Sequence, residues 1–236
     1  MSPKSGRSYE NFMAAASDDR IVVAPDYPGY GESAHPPSDH AISVQDYAAS
    51  MWEVADALGL TKNGGKVDLL GHHTGSKVAA EAAHQRPDHV NNIVMISAAV
   101  FYPDELKQFN ATYSPIPLDE EGNRFKIMWE RIVEHRGPGM TLEMMAKSLA
   151  ENLRGGEAYE EGHRAAFEYN AFFADVVKGL PHRITVLNPK DDLHAFTPRI
   201  LEYLQNGKII DKPGWGHGFL DAFTDDAVKS VKKALA

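Results

Sequence analysis

The pentapeptide Gly71-His72-His73-Thr74-Gly75 constrains the fold more than any other stretch of this chain. It has a small-x-apex-x-small frame, in which a buried strand turns sharply into a helix and holds the middle side chain at the mouth of a pocket. Its flanks suit that geometry. Lys66-Val67-Asp68-Leu69-Leu70 reads as a buried strand running in, and Ser76 to Ala83 as a small-residue helix running out. The frame normally lifts a nucleophile, and here the apex is the imidazole of His73.

Around this turn, apolar runs of strand length alternate with amphipathic stretches, the pattern of an α/β protein with a mostly parallel sheet. Arg20 to Pro25 is a strand candidate. Ser43 opens a helix with Val44, Tyr47, Ala48, Met51, Val54, Ala55 and Leu58 on one face, ended near Gly59. Further strands are expected at Asn92 to Ser97, Arg183 to Leu187 and Lys208 to Ile210, with a closing helix after Thr224 that buries Ala227, Val228, Val231, Ala234 and Leu235. From about Tyr102 to Gly179 the pattern is helical and rich in aromatic residues. The domain reading is therefore a core of residues 1–101 and 180–236 with a helical cap inserted at 102–179. Most of the cap's aromatic side chains are expected to join its helices, and a minority to line an apolar pocket.

Composition removes several functions. The formal charge of −9 comes without a basic block, so no nucleic-acid partner is expected. No apolar run reaches a bilayer span and no signal peptide is visible, which makes a cytoplasmic location the expectation and a membrane partner unexpected. The chain has no cysteine, which rules out disulfides, thiolate metal sites and a cysteine nucleophile. Neither a dinucleotide-binding glycine spacing nor His-Glu-x-x-His occurs, so no cofactor and no metal are expected. Glu81 and His84 form a Glu-x-x-His on a helix, read as a solvated face. The expected partner is a small molecule, and self-association into a homo-oligomer stays open.

Three further segments fall into order with the apex. Pro25-Asp26-Tyr27-Pro28-Gly29-Tyr30-Gly31-Glu32-Ser33 follows the first strand candidate, Asn188-Pro189-Lys190-Asp191-Asp192-Leu193 a later one, and Pro213-Gly214-Trp215-Gly216-His217-Gly218 the last. On these residues the chain resembles the α/β-hydrolase fold superfamily, whose triad runs nucleophile, acid, histidine along the sequence. The resemblance extends over essentially the whole length. It implies an α/β-hydrolase fold, a mostly parallel sheet flanked by helices, and His217 as a general base oriented by a carboxylate, Asp191 first and Asp192 in reserve. It also implies an oxyanion hole made by the backbone N–H groups of Ser2 and Thr74. Because the motif match begins at Ser2, a late start or truncation is expected, leaving about five strands near 20–25, 66–70, 92–97, 183–187 and 207–211.

The departure at the apex governs the mechanism. Histidine replaces the usual serine, so three readings compete: His73 attacks or transfers protons, the site binds a ligand without turnover, or the protein is catalytically silent. The functional expectation is a hydrolase for a small, largely apolar ester or related carbonyl substrate, with His73, Asp191 and His217 as catalytic residues. A non-catalytic ligand-binding or receptor-like member of the fold and a cofactor-free lyase are the alternatives.

Overall fold

A computed structural model describes residues 4–37 and 39–236. Four strands, β1 (Val67–His72), β2 (Val90–Ile96), β3 (Arg183–Pro189) and β4 (Gly207–Lys212), form one parallel sheet in the order β1-β2-β3-β4. The inner strands are buried on both faces, which is why β2 and β3 read as nearly unbroken apolar runs. His72 pairs with Ile96 and Ile96 with Leu187, which in turn pairs with Ile210. This register brings the carboxyl ends of all four strands to one edge, where ligands bind in open α/β sheets.

Helices cover both faces. On one side α1 (Glu10–Ala16) packs against the carboxyl-terminal α10, and Phe12, Ala16, Trp215, Phe219, Val228 and Val231 bury against Val94, Ile96 and Leu187. On the other, α2 (Val44–Ala57) packs on α3 (Thr74–Gln85), the helix leaving the pentapeptide. Ser43 opens α2 with a reciprocal capping box to Asp46, and Gly59 at φ 74° supplies the left-handed turn that follows it. The alanines of α3 let α2 approach closely enough for the Trp52 indole N–H to donate to the Ala82 carbonyl at 3.0 Å. Trp52 is buried although the expected stripe omits it, whereas Leu58 at the stripe's end is 56% exposed. The chain ends in α9 (Phe219–Ala222) and α10 (Thr224–Leu235), which buries Ala227, Val228, Val231 and Ala234 as the periodicity predicts.

Two expectations are corrected. Arg20 to Pro25 has no regular secondary structure and joins no ladder, so the sheet has four strands among the described residues rather than five. The run and the edge strand β1 both line a groove of about 550 Å³, through Val22, Val23, Leu69 and Leu70, and no backbone hydrogen bond joins them among the described residues. Glu81 is not solvated: it is 5% exposed and accepts hydrogen bonds from Tyr169 Oη at 2.5 Å and Gln85 at 3.0 Å. Burial of a carboxylate requires such partners.

Between β2 and β3 run α4 (Pro103–Thr112), α5 (Asn123–Glu134), α6 (Leu142–Leu153), α7 (Glu161–Glu168) and α8 (Asn170–Gly179). No strand interrupts them among the described residues. α7 and α8 rest on α3, and the backbone N–H of Gly162 donates to Tyr30 Oη at 2.8 Å, tying this segment to the loop after residues 20–25. That loop wraps the Asp26 carboxylate, which accepts from Gly6 N at 2.6 Å and Glu32 N at 2.8 Å. Gly31 is required there, because it has φ 58° and a Cβ would sit 2.1 Å from Asp26 Oδ2.

Candidate active site

The sharp turn forms where β1 meets α3. His73 has φ 53° and ψ −119°, a conformation that costs a non-glycine residue about 1–3 kcal/mol and persists only where its surroundings enforce it. Three contacts do so. His73 N donates to Ile96 O at 2.9 Å, Ser76 N donates to His73 O at 2.9 Å, and Ser76 Oγ bridges Gly71 O and Ile96 O. Gly71 permits the close passage of strand and helix, since a Cβ there would lie 2.2 Å from Gly75 O. The strained apex therefore presents the His73 imidazole to the pocket at the carboxyl edge of the sheet.

Two imidazole–carboxylate pairs meet at that edge. His73 Nε2 lies 3.0 Å from Asp191 Oδ2, and His217 Nε2 lies 2.8 Å from Asp192 Oδ1. The expected pairing of Asp191 with His217 is thus corrected: Asp191 serves His73, and Asp192 serves His217. The reason is local. Ser97, held at φ 56° just past β2, donates from Oγ to Asp191 Oδ2 at 2.5 Å, and Leu193 N donates to Asp191 Oδ1 at 2.9 Å, which turns the Asp191 carboxylate toward the apex. The rings of His73 and His217 stand edge to face with centroids 5.4 Å apart. His135 from the end of α5 stacks on His217 at 5.3 Å.

Charge follows burial and partners. Burial opposes protonation of His73, yet the hydrogen bond and charge of Asp191 outweigh it and raise the His73 pKa. Burial also disfavours ionised Asp191 and Asp192, but their histidine partners win and both carboxyls are held below the usual range. His72 lies beneath, buried with Nδ1 unpartnered, and burial pushes its pKa well down. One turn along α3, Lys77 is buried against Phe101 and Phe173, and burial lowers its amine to about 7.

The cavity above the apex holds about 170 Å³. Its polar floor carries His73, His217, Asp192 and Ser97, and its walls include Phe101, Phe109, Tyr113, Met128 and Phe167. Of the aromatic residues noted in the helical segment, Phe109, Tyr113 and Phe167 line the cavity, whereas Phe173 joins the main core and Phe172 is exposed. Thr74 is the first residue of α3 and also lines the cavity, and its backbone N–H has no acceptor among the described residues. Such an N–H at the positive end of a helix suits an oxygen that gains negative charge. Ser2, the other expected donor, lies outside the described residues. Ser97, Lys77 and His135 were not singled out from sequence, where none carries a motif.

The family profile of the alpha/beta hydrolase fold matches residues 3–123, just over half of the chain. A Caulobacter segnis protein whose name marks it as a candidate carbamate hydrolase, RutD, is 25% identical over 235 residues, covering 94% of this chain and 85% of that protein. An esterase from Exiguobacterium antarcticum superposes with a TM-score of 0.78 at 16% identity, covering 99% of this chain and 88% of its own. A meta-cleavage product hydrolase from Pseudomonas fluorescens, CumD, gives 0.77 at 17% identity, covering 98% and 86%. At such identities the structural likeness speaks for the fold alone. No helix among the described residues is long and apolar enough to cross a membrane. With the profile match, the strand-to-helix apex and the parallel sheet in agreement, the chain belongs to the α/β-hydrolase family.

Proposed function

We propose that this protein hydrolyses a small, largely apolar ester or related carbonyl compound by direct addition of water, with His73 in place of a serine nucleophile. The observation that carries the reading is the strained apex imidazole, paired with Asp191, facing a second imidazole paired with Asp192 across one small pocket. The turn's own contacts hold the strain, and the two imidazole–carboxylate pairs facing one pocket are what a structural replacement has no need of. The helices of 102–179 act as the cap: their aromatic walls exclude water and strengthen the charges at the floor.

In this scheme the His217–Asp192 pair accepts the proton of the attacking water, and the water oxygen bonds to the carbonyl carbon. The carbonyl oxygen takes the negative charge beside the Thr74 amide. Collapse of the tetrahedral adduct breaks the bond to the leaving alkoxide, which takes its proton from the His73 imidazolium. The raised pKa of His73 suits that donor role better than direct attack, because a protonated ring has no free pair at either nitrogen. A cavity of 170 Å³ is smaller than the roughly 300–1,000 Å³ of drug-sized sites, so acyl and alcohol parts of a few carbons each are the fitting substrates. A screen of short-chain esters, lactones and carbamates tests the reading: turnover lost in both His73→Ala and His217→Ala supports it. Full turnover in His73→Ala, or ligand-induced stabilisation without turnover of any substrate, rejects it.

A further inference from the structure

The pocket gathers histidine far beyond what one acid–base pair uses. Of the 11 histidines in the chain, five line this cavity: His72, His73, His135, His163 and His217. Three donor groups, on His73, Asp192 and His217, lie within 4.8 Å of one another, and each side chain is partly accessible from the cavity. We infer that His73, Asp192 and His217 form a binding site for a divalent transition-metal ion, zinc above all, with the remaining coordination position open to the pocket.

Three features support the assignment. The donor set, two imidazoles and one carboxylate, matches the borderline-soft set that binds zinc with a position left for water. Ligand atoms around a tetrahedral zinc stand about 3.4 Å apart for bonds near 2.1 Å, so small side-chain rotations close the present spacing. Outside the triad stands a supporting shell. His73 Nε2 is engaged by Asp191, which Ser97 and Leu193 hold, and this leaves Nδ1 of His73 as its metal-binding atom. A carboxylate behind a ligating imidazole fixes its tautomer and increases its basicity, the usual second layer of a metal site. The strands deliver all three donors: the apex follows β1, Asp192 follows β3, and His217 follows β4.

The inference rests on the hydrolytic reading of the same site and replaces its acid–base scheme when the ion is bound: an ion with an open position would acidify the attacking water, and His73 and His217 would serve as neutral ligands rather than as proton donor and acceptor. Its test uses the metal alone. Purified chain is stripped with a chelator and titrated with Co²⁺, followed by visible absorption and by metal analysis after gel filtration. One ion per chain and the intense d–d bands of low-coordinate cobalt are expected, both displaced by Zn²⁺. His73→Ala and His217→Ala should lose the bands, Asp191→Asn should weaken binding roughly 10–100-fold, and His84→Ala, on the exposed end of α3, should change nothing. Absence of bands with wild-type protein overturns the site, as does their persistence in the His73 and His217 variants. Should those variants fail to fold, ring ¹⁵N spectra of the wild type decide: Zn²⁺ must shift His73 and His217 and leave His84 in place. Because no substrate enters these measurements, a failed metal titration leaves the ester screen standing, and a failed screen leaves the metal site standing.

Discussion

The pocket above His73 and the groove beside β1 share a wall, with His72 lining both, yet they are made of different material. The groove is the larger, about 550 Å³ against 170 Å³, and its walls are mostly apolar side chains, with Arg20, Lys66, Asp68 and Lys232 among them but no imidazole–carboxylate pair. The smaller pocket holds two half-buried acid–base pairs, a strained backbone and a helix N–H with no acceptor among the described residues. Volume alone would choose the groove. Convergent polar groups with shifted pKa values mark a candidate site more sharply than empty space does, because acid–base chemistry needs groups whose pKa values are matched to the task.

The sharpest attempt to break this contrast is at the apex. His73→Ala should lower turnover about 10³-fold, and His73→Gly should do the same while standing roughly 1 kcal/mol more stable than His73→Ala, because both lose the ring and glycine adopts φ 53° without strain. A thermal melt beside an activity assay checks both, and a His73→Gly variant less stable than His73→Ala would remove strain from the account. Next in size, Asp192→Asn should reduce turnover about 10²-fold by mis-setting the His217 tautomer, with little change in melting temperature.

Stability against pH sharpens the comparison further. The His73 pKa is raised above 6.5, so its contribution to stability is complete below that value and is lost as pH rises through the folded pKa. Asp191 is lowered below 3.8, so its contribution is present above that value and is lost as pH falls through the lowered pKa. Lys77 works in the opposite sense. Its amine titrates at about 7 when folded and 10.5 when free, so the unfolded chain binds more protons between those values and stability gains with rising pH. Urea midpoints from pH 5 to 10 should therefore show an alkaline loss that disappears in Asp191→Asn, while Lys77→Met removes the opposing gain. The smallest effect belongs to the groove. Val23→Ser, at a position 40% exposed on its wall, should leave turnover unchanged and stability within about 0.5 kcal/mol, and a loss of activity there would abolish the distinction between the two cavities.

Much of this architecture was legible in the residues. The small-x-apex-x-small frame located the turn because only glycine at 71 tolerates Gly75 O at 2.2 Å from its Cβ, a constraint written into the sequence itself. The stripes of α2 and α10 were readable because a helix buries one face. Arg20 to Pro25 misled for a physical reason: its composition suits a strand, but strand formation needs a partner edge within hydrogen-bonding reach, and composition carries no such distance. The exchange of acids was equally hidden. Asp191 and Asp192 are chemically identical neighbours, and their division between His73 and His217 is set by the Ser97 hydroxyl and the Leu193 amide, contacts that only the folded chain brings together.

That division has a consequence for how such a protein can change over generations. Both carboxylates come from consecutive codons on one short loop, so a single-residue insertion or deletion between Pro189 and Leu193 would shift both partnerships in one event. Substitutions elsewhere can be tried singly, with one pair lost and the other kept. Length variation in this loop cannot, and the route from this arrangement to one with a single acid runs through point replacement of Asp191 or Asp192 rather than through any change in loop size.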